Sequence, residues 1–199
     1  MKSFLVTTPI KKSYGPPKKN IFLGSWCFVN REKDIIQSKV INYHWTNKKK
    51  FKKDVNYIDK TAEKLCRILS EKLNEVHNLK EDYSYWKLLI YPWTHHYVST
   101  MFDRWEIIKS FLKVNRQKKI LSYQLIINED HFTPKNHLEF IKNTYKDIWN
   151  HLTFIKIIKF LNLKEIKLIK KNYIYNDKDK NEIFLKEKKN FKSQIISFY

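Results

Sequence analysis

The sequence predicts an α/β layered domain of the Rossmann-like type, and three observations carry that prediction. The first 45 residues hold three short apolar runs, each set off by turn or charge signals. A long stretch follows in which apolar residues recur at three- and four-residue steps. A further apolar run over 120–127 then gives way to another helical pattern. Strands that alternate with helices imply helices layered on a mostly parallel sheet.

The runs at 4–8, 21–24 and 40–43 read as strands, separated by Gly15-Pro16-Pro17 and by Asn30-Arg31-Glu32-Lys33-Asp34. Ile58, Ala62, Leu65, Cys66, Leu69, Leu73 and Val76 then form one apolar stripe, opposite Lys60, Glu63, Lys64, Arg67 and Glu71. This spacing predicts an amphipathic helix of about five turns over 57–77, packed on the sheet. Cys66 lies on the stripe and is expected to be a buried, inert thiol. Pro92 predicts a break between helices, and a second helix is expected from about His95 to Lys113. Val98, Met101, Phe102, Trp105, Ile108 and Leu112 make one of its faces. Asp103 points nearly opposite Trp105 and shares its side with Thr100 and Ile107, so this helix has two apolar faces and belongs between layers. An Asp there needs a partner or a polar cavity.

Residues 120–127 read as a mostly buried strand, closed by Asn128-Glu129-Asp130. Thr133 as cap and Pro134 in the first turn open a helix that Leu138, Ile141, Tyr145 and Ile148 continue. Residues 165–169 offer one more strand, whereas 176–190 have no apolar period. The organisation expected is therefore an α/β domain over 1–151 and a Lys/Ile/Asn-rich, partly disordered extension over 152–199.

Composition narrows the classes of function. The 199 residues include 40 Lys and Arg against 20 Asp and Glu, for a net charge of +20. Only Arg31, Arg67, Arg104 and Arg116 are arginines, whereas base readout leans on Arg. A specific nucleic-acid partner is not expected. The charge instead implies attraction to phosphorylated substrates or anionic headgroups, and peripheral contact with the inner face of the cytoplasmic membrane. No run approaches the roughly 18–20 apolar residues of a membrane span, and the two cysteines make a poor disulfide framework. A cytoplasmic location is expected. With two glycines there is no phosphate-cradling loop, so no cofactor is expected on this chain. The seven histidines have no H-x-x-x-H spacing, and His95 and His96 diverge on a helix, so no metal is expected either.

Five of the six tryptophans fall in polar-aromatic strings within the first 105 residues. The strings are Phe22-Leu23-Gly24-Ser25-Trp26-Cys27, Tyr43-His44-Trp45, Tyr85-Trp86, Tyr91-Pro92-Trp93 and Phe102-Asp103-Arg104-Trp105. Together with Phe4-Leu5-Val6-Thr7-Thr8 and Asp147-Ile148-Trp149-Asn150, they resemble the amino-terminal part of a transferase family found with genes for O-antigen and other bacterial surface polysaccharides. The resemblance covers residues 3–151. Ser25 stands where the pattern has an acidic residue, and Tyr91-Pro92 where it has Gly-Pro. Members of that family are longer, which implies that a second domain is missing here. The resemblance implies the amino-terminal, acceptor-side domain of a GT-B-type glycosyltransferase. It also implies a nucleotide-sugar donor held mainly by the other domain, and a carbohydrate or lipid-linked acceptor.

The candidate residues follow from these strings. Gly24 after the second strand would let backbone approach a ligand, and Trp26 could stack on a sugar ring. His44, just past the third strand, is a candidate general base, with Trp45 beside it as a substrate contact. Asp103 is the other candidate base, and Arg104 could hold a phosphate or carboxylate bidentately. Trp93 is expected to line the cleft. Trp26, His44, Asp103 and Arg104 are expected to meet at one cleft, because loops at strand ends converge. Cys27 has no basic neighbour and is not read as a nucleophile. Two other readings stay open: a non-catalytic glycan-binding module and a basic nucleic-acid-binding protein.

Overall fold

The computed structural model describes residues 3–28, 39–115, 119–128 and 132–175. Five strands form one sheet: β1 (Ser3–Val6), β2 (Asn20–Phe22), β3 (Lys39–Val40), β4 (Ile120–Ile126) and β5 (Ile166–Asn172). Their order is β3-β2-β1-β4-β5, and every neighbouring pair is parallel. Leu5 is opposite Ile21 on one side and Ser122 on the other, and the Ser122 hydroxyl donates to the Leu5 carbonyl at 3.0 Å. Four helices complete the described chain: α1 (Lys48–His77), α2 (Tyr83–Val114), α3 (His137–Thr144) and α4 (Asp147–Phe160). The molecule is thus α/β and Rossmann-like, as the alternation of patterns predicts.

The handedness rule for parallel connections explains why the layers are unequal. The β3-to-β4 and β4-to-β5 crossovers step towards the same edge, so right-handed connections put their helices on one face. On that face Ile107, Ile108 and Phe111 of α2 and Phe154, Ile155 and Ile158 of α4 pack on Leu5, Ile21, Ile120 and Ile166. Each fully buried side chain of this size contributes about 1.5–3 kcal/mol. The β1–β2 connection steps the other way and carries only a short turn of 3-10 helix, Lys11–Ser13. Loop residues cover the second face: Tyr14 and Phe28 lie over Val6 and Phe22, and Phe4 stacks on Tyr123 with centroids 5.4 Å apart. Gly15 makes that cover possible, since a Cβ there would fall 2.2 Å from the Phe4 ring.

The long helices depart from expectation in three ways. First, α1 starts at Lys48 and packs lengthwise on α2, where the stripe of Ile58 and Ala62 meets Val98 and Phe102. It forms a third layer, with α2 between it and the sheet, and is not packed on the sheet. Second, α2 runs unbroken through Pro92. The amide lost at Pro92 would have bonded Leu88, which is 81% exposed, so water can satisfy that carbonyl. Third, Asn136 and not Thr133 caps α3, accepting from the Glu139 amide at 2.9 Å, and the helix stops at Thr144 before α4 begins. Leu138 and Tyr145 are accordingly exposed. The helix α4 spans residue 151, and β5 pairs with β4 along its whole length. The segments read as loosely ordered after 176, and the turn at 30–34, lie outside the described residues.

Trp86 belongs to the α1–α2 turn: its indole N–H donates to Asn74 at 2.8 Å, and Asn74 also receives the Glu81 amide. Asn78 closes α1 in the left-handed region, with φ of 52°. Among the described residues, no helix is long and apolar enough to cross a membrane.

Candidate functional site

The carboxyl edge of the sheet gathers residues from four of the polar-aromatic strings, those at 22–27, 43–45, 102–105 and 147–150. After β2, residues Ser25–Phe28 make one turn of 3-10 helix, and Trp26 folds back over Gly24. A Cβ on Gly24 would sit 1.9 Å from that ring, so this glycine accommodates Trp26 rather than a ligand. The Trp26 ring lies parallel to Phe154 of α4, with centroids 6.2 Å apart and planes 7° apart. After β3, residues His44–Thr46 make another such turn and deliver Tyr43 and His44 against α2.

Asp103 is the hub. Its side chain is 6% exposed, and both oxygens are engaged. Tyr43 donates its hydroxyl to Oδ1 at 2.8 Å, and His44 Nε2 lies 3.0 Å from the same oxygen. Arg104 pairs with Oδ2. Burial pushes the Asp103 carboxyl up, but the bond from His44, the Arg104 charge and the bond from Tyr43 outweigh it and hold the group below the usual carboxylate range. Burial first, and then the bond to Asp103 and its charge, push the Tyr43 phenol up.

Arg104 is fixed from three sides. Its Nε and one terminal nitrogen donate to Asn150 Oδ1 at 3.0 and 2.9 Å, and it reaches the Thr144 carbonyl at 3.4 Å. Asn150 donates to that same carbonyl at 2.8 Å. Thr144 ends α3, where carbonyls lack helical partners, so a guanidinium is well placed there. Trp26, Tyr43, Asp103, Arg104, Asp147 and Asn150 are among the residues that line one cleft of about 340 Å³.

His44 does not line this cleft. It stands behind Asp103 with its side chain 1% exposed. Its Nδ1 has no hydrogen-bond partner among the described residues and lies 3.9 Å from Asp54. Around it is a buried charge network in which Lys50 bridges Asp54 and Glu106. His44, Asp54 and Glu106 each present a ligand atom within 4.8 Å of one another. That set could hold a divalent ion, drawn from elements whose sequence separation hides it; here the Lys50 ammonium supplies the positive charge between the two carboxylates. Trp45 is also away from the cleft: its indole donates to Asp54 at 3.0 Å, and its ring packs in the α1–α2 layer beside Phe102. Trp93 lines a different cleft, with Tyr97, Phe140 and Trp149. Cys27 is buried, which pushes its thiol up to about 12, so it is no nucleophile at neutral pH.

The structure therefore brings Trp26, Asp103 and Arg104 to one cleft, with His44 touching Asp103 from inside. It adds Tyr43 and Asn150, which sequence reasoning passed over although both sit in the quoted strings. A family model described as LIC12162 family transferase matches residues 3–199. The chain belongs to that family of transferases. The match extends beyond the 3–151 over which the strings are recognisable. No curated protein and no solved structure matches the chain.

Proposed function

We propose that this chain forms the acceptor-side domain of a glycosyltransferase-like enzyme of bacterial surface-polysaccharide or O-antigen assembly. One observation carries the reading. An aromatic wall (Trp26 on Phe154) faces a fixed carboxylate, phenol and guanidinium across a single cleft at the carboxyl edge of a parallel sheet, where such folds take their ligands. An acceptor sugar would lay its apolar face on Trp26 and present a hydroxyl to Asp103. That hydroxyl attacks the activated carbon of a nucleotide sugar, the bond to the donor phosphate breaks, and the proton passes towards Asp103. His44 acts as a positioning residue that holds Asp103, and Arg104 orients the acceptor or meets its acidic group. The donor would be held by a further, carboxy-terminal domain of the GT-B type.

A second reading has its own support. Asp103 accepts three bonds and is held in its ionised form, which suits binding hydroxyls better than removing protons. In that case the chain is a glycan-binding module without turnover.

The assay is nucleotide release from a panel of activated sugars in the presence of acceptor oligosaccharide, with this chain alone and with the chain joined to the family's carboxy-terminal domain. The joined protein should turn over and the chain alone should not. Asp103→Ala in the joined protein should lower kcat by about 10²–10⁴. Full turnover in a folded Asp103→Ala, Arg104→Ala double variant would remove the site from the mechanism. Binding of acceptor without turnover in either protein would favour the module.

A further inference from the structure

The second cleft, lined by Trp93, Tyr97, Phe140, Trp149, Thr153 and Lys156, measures about 380 Å³, within the range of small-ligand sites. We propose that it is a second saccharide subsite, holding a further sugar of the same acceptor oligosaccharide whose reacting sugar lies in the Trp26 cleft. This rests on the acceptor-side reading above.

Three features select a sugar. The rings do not leave a flat slot: Trp93 is inclined 59° to Phe140, and Phe140 82° to Trp149. Inclined rings cannot clamp a flat base between two parallel faces, whereas a pyranose ring can set one apolar face on a single ring and fill the corner with its other side. Among the described residues the lining has no Asp, Glu or Arg, so it offers no carboxylate to a metal ion and no guanidinium fork to a phosphate. Its polar groups include Thr133, Thr153 and the amine of Lys156. The Thr153 hydroxyl donates to the Trp149 carbonyl at 2.9 Å, leaving its lone pairs to accept from a ligand hydroxyl.

The placement of the two clefts makes them parts of one site. Both border α4. Asp147, Asn150 and Phe154 face the first cleft, and Trp149, Thr153 and Lys156 face the second. At about 100° per residue these sets point about 125° apart around the helix, so the helix stands between the two clefts. A helix with its side chains is about 10–12 Å across, so an acceptor that occupies both must be an oligosaccharide rather than a single sugar.

The indole N–H signals of the ¹⁵N-labelled full chain report on the six tryptophans separately, once each is assigned by a Trp→Phe variant. The probes are galactose and N-acetylglucosamine, then maltotetraose, chitotetraose and a tetrasaccharide released from O-polysaccharide by mild acid. A single sugar should shift Trp26 alone, whereas a tetrasaccharide should shift Trp26, Trp93 and Trp149 together. Trp93→Ala should weaken tetrasaccharide binding about tenfold and leave monosaccharide affinity unchanged. Should that variant misfold, Thr153→Val and Lys156→Gln carry the same expectation at the cleft's polar side. A tetrasaccharide that shifts Trp26 with Trp93 and Trp149 unmoved would overturn the second subsite and leave the acceptor-side reading intact. No shift with any sugar would overturn both. Saturable shifts of Trp93 with AMP or UMP that exceed those with every sugar would make the cleft a base site and sink the proposal.

Discussion

At Asp103 the carboxylate is held by neighbours from two different elements, Tyr43 and His44 after β3 and Arg104 beside it on α2. Removing one member of a buried charged set leaves the others unpaired, which costs more than the pair itself contributes. Asp103→Asn should therefore lower unfolding free energy by about 3 kcal/mol, read by urea denaturation at pH 7. The folded carboxyl sits below its unfolded value, so its stabilisation is present above about pH 4 and is lost as pH falls through the lowered folded value. His151 marks a separate window. Its Nε2 accepts the Leu125 amide at 3.1 Å, leaving Nδ1 to donate to the Thr7 hydroxyl at 2.6 Å. Both bonds suit the neutral ring, and burial pushes its pKa down to about 4. The unfolded ring takes its proton near pH 6.5 while the folded one does not, so stability falls as pH drops from about 6.5 to 4. That slope amounts to about 3 kcal/mol. His151→Gln should flatten most of this acid slope, leaving the smaller part that belongs to His96, whose pKa burial, His137, His95 and Arg104 also lower. A variant with an unchanged slope between about pH 6.5 and 4 would show that His151 titrates normally.

At the scale of elements, what the sequence made legible was pattern, and what it hid was partnership. The apolar character of β1, β2 and β4 is local, so the strands could be read from short runs. The stripe on α1 was equally plain, but a stripe says only that something covers it. Here Val98 and Phe102 cover it, because α2 has two apolar faces and stands between α1 and the sheet. The same limit applies to the site. Asp103 could be seen to need a partner, yet His44 and Tyr43 lie 59 and 60 residues away from it. The aromatic strings fared unevenly for a like reason. Trp45 and Trp93 carry the same signal as Trp26, but the fold turns them towards a core layer and another cleft. Pro92 misled because a proline's cost depends on whether the freed carbonyl meets water. Since it stands on an exposed side of α2, Pro92→Ala should restore an amide and helical propensity with no clash. We expect a gain of about 1–3 kcal/mol, measured by thermal unfolding; a loss would mean that the ring itself packs.

For the whole molecule the dominant property is charge, 40 basic against 20 acidic side chains, on a body whose described helices offer no membrane-crossing segment. Fixed, dispersed lysine charge attracts anionic surfaces without choosing among them, and its reach ends within a Debye length of about 8–10 Å at physiological salt. Attraction to an anionic leaflet contributes about 1 kcal/mol for each Lys close to the surface, so several together are enough to hold the chain there. The protein should therefore sediment with phosphatidylglycerol vesicles at about 50 mM salt and not with phosphatidylcholine vesicles. Raising salt to about 500 mM, where the screening length falls well below 10 Å, should completely release a chain held by charge alone. Binding that survives high salt would reveal an apolar insertion instead. Equal binding to neutral vesicles would show that charge is not the cause, and the expectation of peripheral contact with the membrane's inner face would fall with it.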